Sequence, residues 1–277
     1  MNAFNGHNVV RSEGNTIYTG EVPNLPYPTC FDAETAIRGM LEDGYCIFPG
    51  VLDREGVQRF RDKIDSLGGP DEQYEVANWC FNKQLASDYM GDPEMLQYID
   101  RPEIISVLEG IFNEHFHVIG GSLWVTGKGR GMGIHVDYLP FPLPEDVAND
   151  PRITIPIFMA TAHYYLDDLT LDLGPTTLIP GSHRAARHPK DETSYKGVVP
   201  HAVMLKAGDV CLFRSDVWHA AAKNMSDRRR YMVQVHYAHS SVGKWYPPIE
   251  YESLYSPEVL AAATPLHRKL LGKPRLP

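Results

Sequence analysis

A histidine and an aspartate one residue apart, His135 and Asp137, have the residue types and the spacing to bind one metal ion. They stand in GMGIHVDYLP (131–140), and side chains at positions i and i+2 of a β-strand point to the same face. With 12 histidines and 35 acidic residues among 277, about 1.5 such pairs arise by chance. A histidine satisfied in the core or at the surface is the common alternative. The pair alone therefore does not indicate a metal site, and further candidate ligands are needed.

A distant histidine is the first companion. The run VCLFRSDVWHAAAKN (210–224) places His219 on a predicted strand after an Ala-Gly-Asp turn. Two histidines and one carboxylate form the facial triad that suits Fe(II) and leaves positions open for a cosubstrate and O₂. The alternative is a histidine that fills the core beside Trp218.

An arginine is the second companion. In RRRYMVQVHY (228–237) one face of the predicted strand carries Arg230, Met232, Gln234 and His236, whereas the alternating residues are apolar or aromatic. An arginine that points into a barrel is costly unless it meets an anion, and a guanidinium is shaped to hold a carboxylate with two hydrogen bonds. A dicarboxylate that chelates iron at one end and binds Arg230 at the other would satisfy both charges. The alternative is that the three arginines mark a solvated strand start, which fits Arg228 and Arg229.

The elements that must position these residues change in character along the chain. Residues 1–116 are predicted to be mostly helical: Asp53 can cap one helix, and Pro102 sits where a first helical turn tolerates proline. Residues 117–240 contain seven or eight short β-rich runs separated by turn signals. We therefore expect one domain over 1–277, mainly β with flanking helices. Its core would be a double-stranded β-helix (a cupin-like jelly roll), and 241–277 would form a C-terminal extension.

Four separated segments, in this order, resemble the phytanoyl-CoA dioxygenase family of Fe(II)/2-oxoglutarate oxygenases. They are LEDGYCIFPGVLDREGVQRFRDKID (41–65), HVD (135–137), LDDLTLDLGPTTLIPGSHR (166–184) and KAGDVCLFRSDVWHAAAKNMSDRRRYMVQVHY (206–237). The resemblance implies that His135, Asp137 and His219 bind Fe(II). It also implies that Arg230, eleven residues after the second histidine, binds the distal carboxylate of 2-oxoglutarate.

The same resemblance implies a reaction. O₂ and 2-oxoglutarate would be consumed, succinate and CO₂ released, and an unactivated C–H bond hydroxylated, with desaturation or ring formation as other outcomes of this chemistry. Retention of the carboxylate at Asp137 favours oxygen transfer, because related halogenases carry a small residue there. Ala221 departs from the pattern, since some members place at this position a hydroxyl that helps to hold 2-oxoglutarate.

The substrate is predicted only as a class, a small metabolite or natural-product intermediate. Candidate contacts around the site, each with core packing as the alternative, are Trp124, Arg130, Met132, Tyr138 and Asn78. Two rival functions remain open: a cupin-type metalloenzyme that uses no 2-oxoglutarate, and a non-catalytic binding protein on the same fold. A zinc hydrolase is disfavoured because the sequence contains no H-E-x-x-H motif.

Composition limits which binding partners and which cellular compartment we expect for this protein. The net charge of −9 argues against a general nucleic-acid binder, which is normally basic. We expect no membrane association, because no apolar run approaches the length of a membrane span. The four cysteines show no C-x-x-C spacing and are expected to be free thiols, and with no signal-peptide pattern a cytoplasmic location is expected. The oligomeric state is left open.

Overall fold

Two antiparallel sheets form the centre of the molecule. The computed structural model describes residues 18, 20–26, 32–67, 83–85 (backbone only), 91–243 and 255–272. The strands are β1 (Tyr45–Phe48), β2 (Lys83–Leu85), β3 (Phe116–Thr126), β4 (Met132–His135), β5 (Met159–Tyr165), β6 (Thr176–Leu178), β7 (His201–Ala202), β8 (Val210–Arg214), β9 (His219–Ala221) and β10 (Arg230–His239). One sheet has the order β1-β8-β5-β10-β3-β2 and the other β4-β9-β6-β7. This is the predicted jelly roll.

Helices cover the outer face of the larger sheet, except for the short helix Glu145–Ala148, which packs against the turn Ser182–Ala185. They are α1 (Ala33–Glu42), α2 (Arg54–Ser66), α3 (Leu96–Ile99), α4 (Pro102–Phe112), α5 (Glu145–Ala148), α6 (Pro257–Ala262) and α7 (Pro265–Leu271). The start of α2 is as predicted, because the Asp53 carboxylate accepts a hydrogen bond from the Gly56 N–H at 2.7 Å. Pro102 opens α4, also as predicted. No helix within the described ranges is long and apolar enough to cross a membrane.

The two faces of the larger sheet pack into two different hydrophobic cores. On β10, Tyr231, Val233, Val235 and Tyr237 pack with the helices in the outer core. Met232, on the opposite face, belongs to the inner core between the sheets, together with Trp124 and Tyr165. Both faces of β10 are thus buried, and its polar residues point into the barrel rather than into solvent.

The structure differs from the sequence prediction in two places. The N-terminal part, predicted to be mostly helical, also contributes β1 and β2 to the larger sheet, and β1 pairs with β8. One of the predicted β-rich runs, ITIPIFMATAHYYL (153–166), is β-structure only over Met159–Tyr165. Pro156 lacks the N–H that a ladder requires, which accounts for the late start.

Candidate active site

Three predicted metal ligands meet inside the barrel. One potential ligand atom from each of His135, Asp137 and His219 lies within 4.8 Å of the others, and all three side chains are buried. His135 ends β4 and faces His219, which begins β9, as its cross-strand partner. Asp137 lies beyond the end of β4 rather than on the strand, and its N–H donates to the Ser215 carbonyl at 2.9 Å. The turn after β8, rather than strand alternation, therefore sets the position of the carboxylate.

The hydrogen bonds of the two imidazoles fix their tautomers. His135 Nδ1 donates to the Gly133 carbonyl at 2.8 Å, and His219 Nδ1 donates to the Val217 carbonyl at 3.0 Å. Each Nε2 is then the unprotonated nitrogen. The two Nε2 atoms lie 3.5 and 3.4 Å from Asp137 Oδ1. Two nitrogen lone pairs and one carboxylate oxygen therefore face one point, which is the donor set of a facial triad.

The second oxygen of the carboxylate has a different neighbour. Thr161 Oγ1 lies 3.5 Å from Asp137 Oδ2, and it also contacts Ser215 Oγ at 3.3 Å and His236 Nδ1 at 3.0 Å. Burial opposes ionisation of Asp137, but without a metal a protonated imidazole at this site outweighs it and holds the pKa of the carboxyl well below its usual value. Burial likewise opposes protonation of His219, but Asp137 outweighs it and raises the pKa of His219. An ionised carboxylate thus presents Oδ1 to the histidines while Oδ2 faces the threonine.

Arg230 marks the other end of the interior. Its side chain is 2% exposed, with Nη1 donating to the Gly174 carbonyl and Nη2 donating to Thr126 Oγ1 at 3.3 Å. Its Nε has no hydrogen-bond partner, and it forms no ion pair with a carboxylate in the part of the chain that the structure describes. The hydroxyl of Tyr165 is likewise buried without a hydrogen bond among these residues.

The electrostatics of this end follow from burial. Burial lowers the pKa of Arg230, while the neighbouring Tyr165 and Asp167 act to raise it. Burial also raises the pKa of Tyr165 far above its usual value, so this side chain is a neutral hydrogen-bond donor. A guanidinium and a phenol with unused donors in a dry interior suit a carboxylate ligand.

Two polar side chains hold the start of β10 in place. Asp167, of the Leu-Asp-Asp segment, accepts from the Tyr231 N–H at 2.7 Å and from Arg61 Nη1 at 2.6 Å. Asn224 donates from Nδ2 to the carbonyls of Thr126 (2.9 Å) and Arg228 (2.7 Å). These bonds tie the β9–β10 connection to β3 and direct Arg230 into the barrel.

The inner wall connects the two ends. The inward side chains of β5 are Thr161 at the triad, His163 in the middle and Tyr165 at Arg230. Across the ladder these residues face His236, Gln234 and Met232 of β10. Phe213 packs against both His163 and His219, with ring centroids 4.8 and 4.9 Å apart. The triad and the arginine thus belong to one continuous lined interior.

The other predicted contacts are distributed around this interior. Trp124 and Met132 lie in the inner core with Met232, towards the Arg230 end, and Arg130 is half-buried in the β3–β4 turn, at the end of β4 away from His135. Tyr138 is half-buried beyond Asp137 and packs with a small apolar cluster around Met159 and Val242. Asn78 lies outside the described residues.

Two side chains at the site, Thr161 and Tyr165, were missed by sequence reasoning. The pattern that predicts them is in MATAHYYL (159–166). Thr161 and Tyr165 share one face of this strand with His163, and the residues between them lie on the other face. The alternation was applied to β10 but not to this strand. The same test on β5 would have placed both inside the barrel.

Comparison with known proteins agrees with this geometry. The family model "Phytanoyl-CoA dioxygenase (PhyH)" matches residues 40–232. Dioxygenase cdmD of Talaromyces verruculosus is 33% identical over 263 residues, which cover 83% of this chain and 80% of that protein.

Two solved structures share the fold. HygX from Streptomyces hygroscopicus, solved with nickel and 2-oxoglutarate bound, superposes with a TM-score of 0.61 at 15% identity, covering 76% of this chain and 89% of its own. The alpha ketoglutarate dependent epimerase SnoN from nogalamycin biosynthesis superposes with a TM-score of 0.55 at 21% identity, covering 75% and 82%. From the match of the family model and the identity to cdmD, the chain belongs to the phytanoyl-CoA dioxygenase family of iron- and 2-oxoglutarate-dependent dioxygenases.

Proposed function

We propose that this chain hydroxylates an unactivated C–H bond of a small metabolite or natural-product intermediate, with Fe(II), 2-oxoglutarate and O₂. The observation that carries the 2-oxoglutarate requirement is Arg230, a buried cation without a carboxylate partner in the described part of the chain. It lies in the same interior as a His-Asp-His triad. A dicarboxylate that bridges the two ends supplies the anion that the arginine lacks.

The residues present fit iron. His135 and His219 offer unprotonated Nε2 atoms, and Asp137 offers Oδ1, which is the two-nitrogen, one-oxygen set of non-haem Fe(II) oxygenases. When bound, the metal supplies the centre at which O₂ oxidises 2-oxoglutarate to succinate and CO₂ and a C–H bond is attacked. The part of this chain is to hold the metal and the cosubstrate and to exclude water.

The pocket around Arg230 contains another hydroxyl that can take the place of the one that some family members carry at position 221. Ala221 pairs with Thr176 across the sheet, and no hydroxyl is available from its side chain. Tyr165, whose hydroxyl is unused, takes that place beside Arg230 and donates to the distal carboxylate. Trp124 and Met132, predicted as substrate contacts, lie towards this end, so we reassign them as walls of the cosubstrate pocket.

The substrate enters on the side of Asp137 that is away from Arg230. There Tyr138 and Phe158 pack on Met159 and Val242, and the ring of Phe158 meets that of Phe141 with centroids 5.6 Å apart. Phe141 is 65% exposed, which gives this rim an aromatic surface. A substrate with a substantial apolar surface matches such a rim.

The test begins with apo-protein under anaerobic conditions. Addition of Fe(II) followed by 2-oxoglutarate is expected to produce a weak visible charge-transfer band, and admission of air a slow, substrate-independent formation of succinate. Iron binding with no band and no succinate would favour the metalloenzyme that uses no 2-oxoglutarate. Absence of both iron binding and band would favour a binding protein.

Hydroxylation is separated from related outcomes by product mass. For any compound that accelerates succinate formation, hydroxylation under ¹⁸O₂ adds one labelled oxygen atom to the product. Ring formation or desaturation removes two hydrogens instead, and epimerisation leaves the mass unchanged. A product of unchanged mass or one without the label would overturn the assignment as a hydroxylase.

A further inference from the structure

A chain of side-chain hydrogen bonds crosses the floor of the barrel from β3 to β5. The indole Nε1–H of Trp124 donates to Ser122 Oγ, and Ser122 Oγ donates to Gln234 Oε1 at 3.3 Å. Gln234 Nε2 lies 3.0 Å from His163 Nε2. All four side chains are buried. Which group donates and which accepts in each bond therefore depends on the donor and acceptor capacity of these side chains and not on water.

The direction of this chain determines the tautomer of His163. An indole only donates, so Ser122 accepts from Trp124 and passes its own proton to the amide oxygen of Gln234. The amide nitrogen of Gln234 then points at His163 and can only donate, which makes His163 Nε2 the acceptor. If the Gln234 amide were rotated by half a turn, its NH₂ group would face Ser122 Oγ. The Ser122 hydroxyl proton would then lose the amide oxygen as its acceptor. His163 therefore carries its proton on Nδ1.

That proton has no acceptor within the described part of the chain. His163 is 5% exposed, and its Nδ1 has no hydrogen-bond partner among the described residues. Burial keeps the ring neutral, because the pKa of His163 lies well below its usual value. A buried N–H left without an acceptor is destabilising, so this group favours a ligand that can accept its hydrogen bond.

The position of His163 indicates which ligand. It lies on β5 midway between Thr161, which contacts the triad, and Tyr165, which neighbours Arg230. Its ring packs edge-on against Phe213, which in turn packs on His219. Among the charged neighbours, His219 and Asp137 each shift the pKa of His163 more than Arg230 does. His163 is thus a donor beside the path of the cosubstrate, on the side of the metal.

We propose that His163 Nδ1–H donates a hydrogen bond to the 2-oxo acid end of 2-oxoglutarate, and that Gln234, Ser122 and Trp124 lock the tautomer that makes this possible. The inference rests on the proposed function, because it assigns a further residue to the same cosubstrate. Arg230 selects the distal carboxylate, whereas His163 recognises the end that every 2-oxo acid shares.

Two substitutions test this contact, because each preserves a different nitrogen position of the ring. In His163→Asn the side-chain amide can occupy the place of Nδ1 and keep the donor, although the contact with Gln234 is lost. In His163→Gln the amide reaches the place of Nε2, keeps the contact with Gln234 and loses the donor. A role in cosubstrate binding and a role in packing therefore predict opposite rankings of the two variants.

The measurement is anaerobic titration of the Fe(II)-loaded proteins with 2-oxoglutarate, followed by the charge-transfer band. We expect His163→Gln to raise the Kd for 2-oxoglutarate about tenfold and to shift the band, with the Kd for Fe(II) unchanged. His163→Asn is expected to stay within about threefold of wild type in the same titration. The monoacid 2-oxovalerate should be weakened by His163→Gln in the same proportion as 2-oxoglutarate.

Three outcomes would overturn the proposal. They are wild-type binding of 2-oxoglutarate by His163→Gln, weaker binding by His163→Asn than by His163→Gln, and an effect confined to the diacid, which would place His163 at the distal end. In each case the wild-type band is present, so the proposed function survives. Absence of the band from wild type is the separate result that removes the proposed function itself.

Discussion

The two ends of the barrel interior differ in the kind of polar group that they present to a ligand. At the triad end, the Asp137 carboxylate faces two imidazoles, and each imidazole is held by a backbone carbonyl. At the other end, neither Arg230 Nε nor the hydroxyl of the nearby Tyr165 has a hydrogen-bond partner among the described residues. One end presents converging acceptors that suit a cation, whereas the other presents donors that suit an anion.

This difference indicates how the two ligands are recognised. A preformed set of three donors binds a metal with little rearrangement of the protein. A buried guanidinium without a counterion instead makes the binding of an anion favourable, because the ligand removes an uncompensated charge from a dry interior. Substitutions at the first end should therefore affect the metal, and substitutions at the second should affect the 2-oxo acid.

The largest effect is expected for Asp137→Ala. Removing the single carboxylate from the triad takes away the negative ligand, and the Kd for Fe(II) should rise by more than about 100-fold, the upper range for residues that merely support a ligand. Anaerobic Fe(II) titration measures it. Asp227→Ala is the matched control, since Asp227 is largely exposed and pairs only with Lys128 in the described structure. Iron binding by Asp137→Ala at wild-type affinity would remove the triad as the metal centre.

The next effect is expected for Arg230→Met. Loss of the buried guanidinium should raise the Kd for 2-oxoglutarate by about 30-fold or more, while the Kd for Fe(II) stays near wild type. Arg230→Lys should recover part of the affinity, because it keeps the charge but not the two-pronged geometry. Arg228→Met, at an exposed arginine of the same run, should leave both constants unchanged. Equal loss of iron and 2-oxoglutarate binding in Arg230→Met would mean that the arginine only supports the fold.

A smaller effect is expected for Thr161→Val. The hydroxyl near Asp137 Oδ2 helps to keep the carboxylate turned so that Oδ1 faces the histidines, and its loss should weaken Fe(II) binding about tenfold. Thr161→Ser retains the hydroxyl and should bind Fe(II) like wild type. If valine and serine weaken iron binding equally, the lost methyl packing and not the hydrogen bond is the cause.

The sequence predicted the residues at both ends but not what joins them. His135, Asp137, His219 and Arg230 stand out because residue type, order and local alternation are readable along the chain. The chain of bonds from Trp124 to His163 is not readable, because it requires β10 to lie between β3 and β5 in one particular register. Asp137 is a third case: strand alternation predicted that it shares a face with His135, but a hydrogen bond to the Ser215 carbonyl, from a turn distant in sequence, sets its position. Pairings between residues far apart in sequence account for what was missed.

The last comparison concerns the stability of the ligand-free protein, not ligand binding, and it involves two arginines that are similarly buried. Arg214 is 1% exposed, but its Nε and Nη2 bind the two carboxylate oxygens of Asp216 at 2.6 and 2.8 Å. Arg214→Met leaves Asp216 without its partner and should destabilise the fold by about 3–5 kcal/mol. Arg230→Met leaves no carboxylate behind and replaces an unpaired charge with an apolar side chain, so the Tm of the apo-protein should rise by about 2–4 °C. Calorimetry of both variants without metal or 2-oxoglutarate measures the contrast. If Arg230→Met is destabilised as much as Arg214→Met, the guanidinium of Arg230 is already compensated within the protein and needs no anionic ligand.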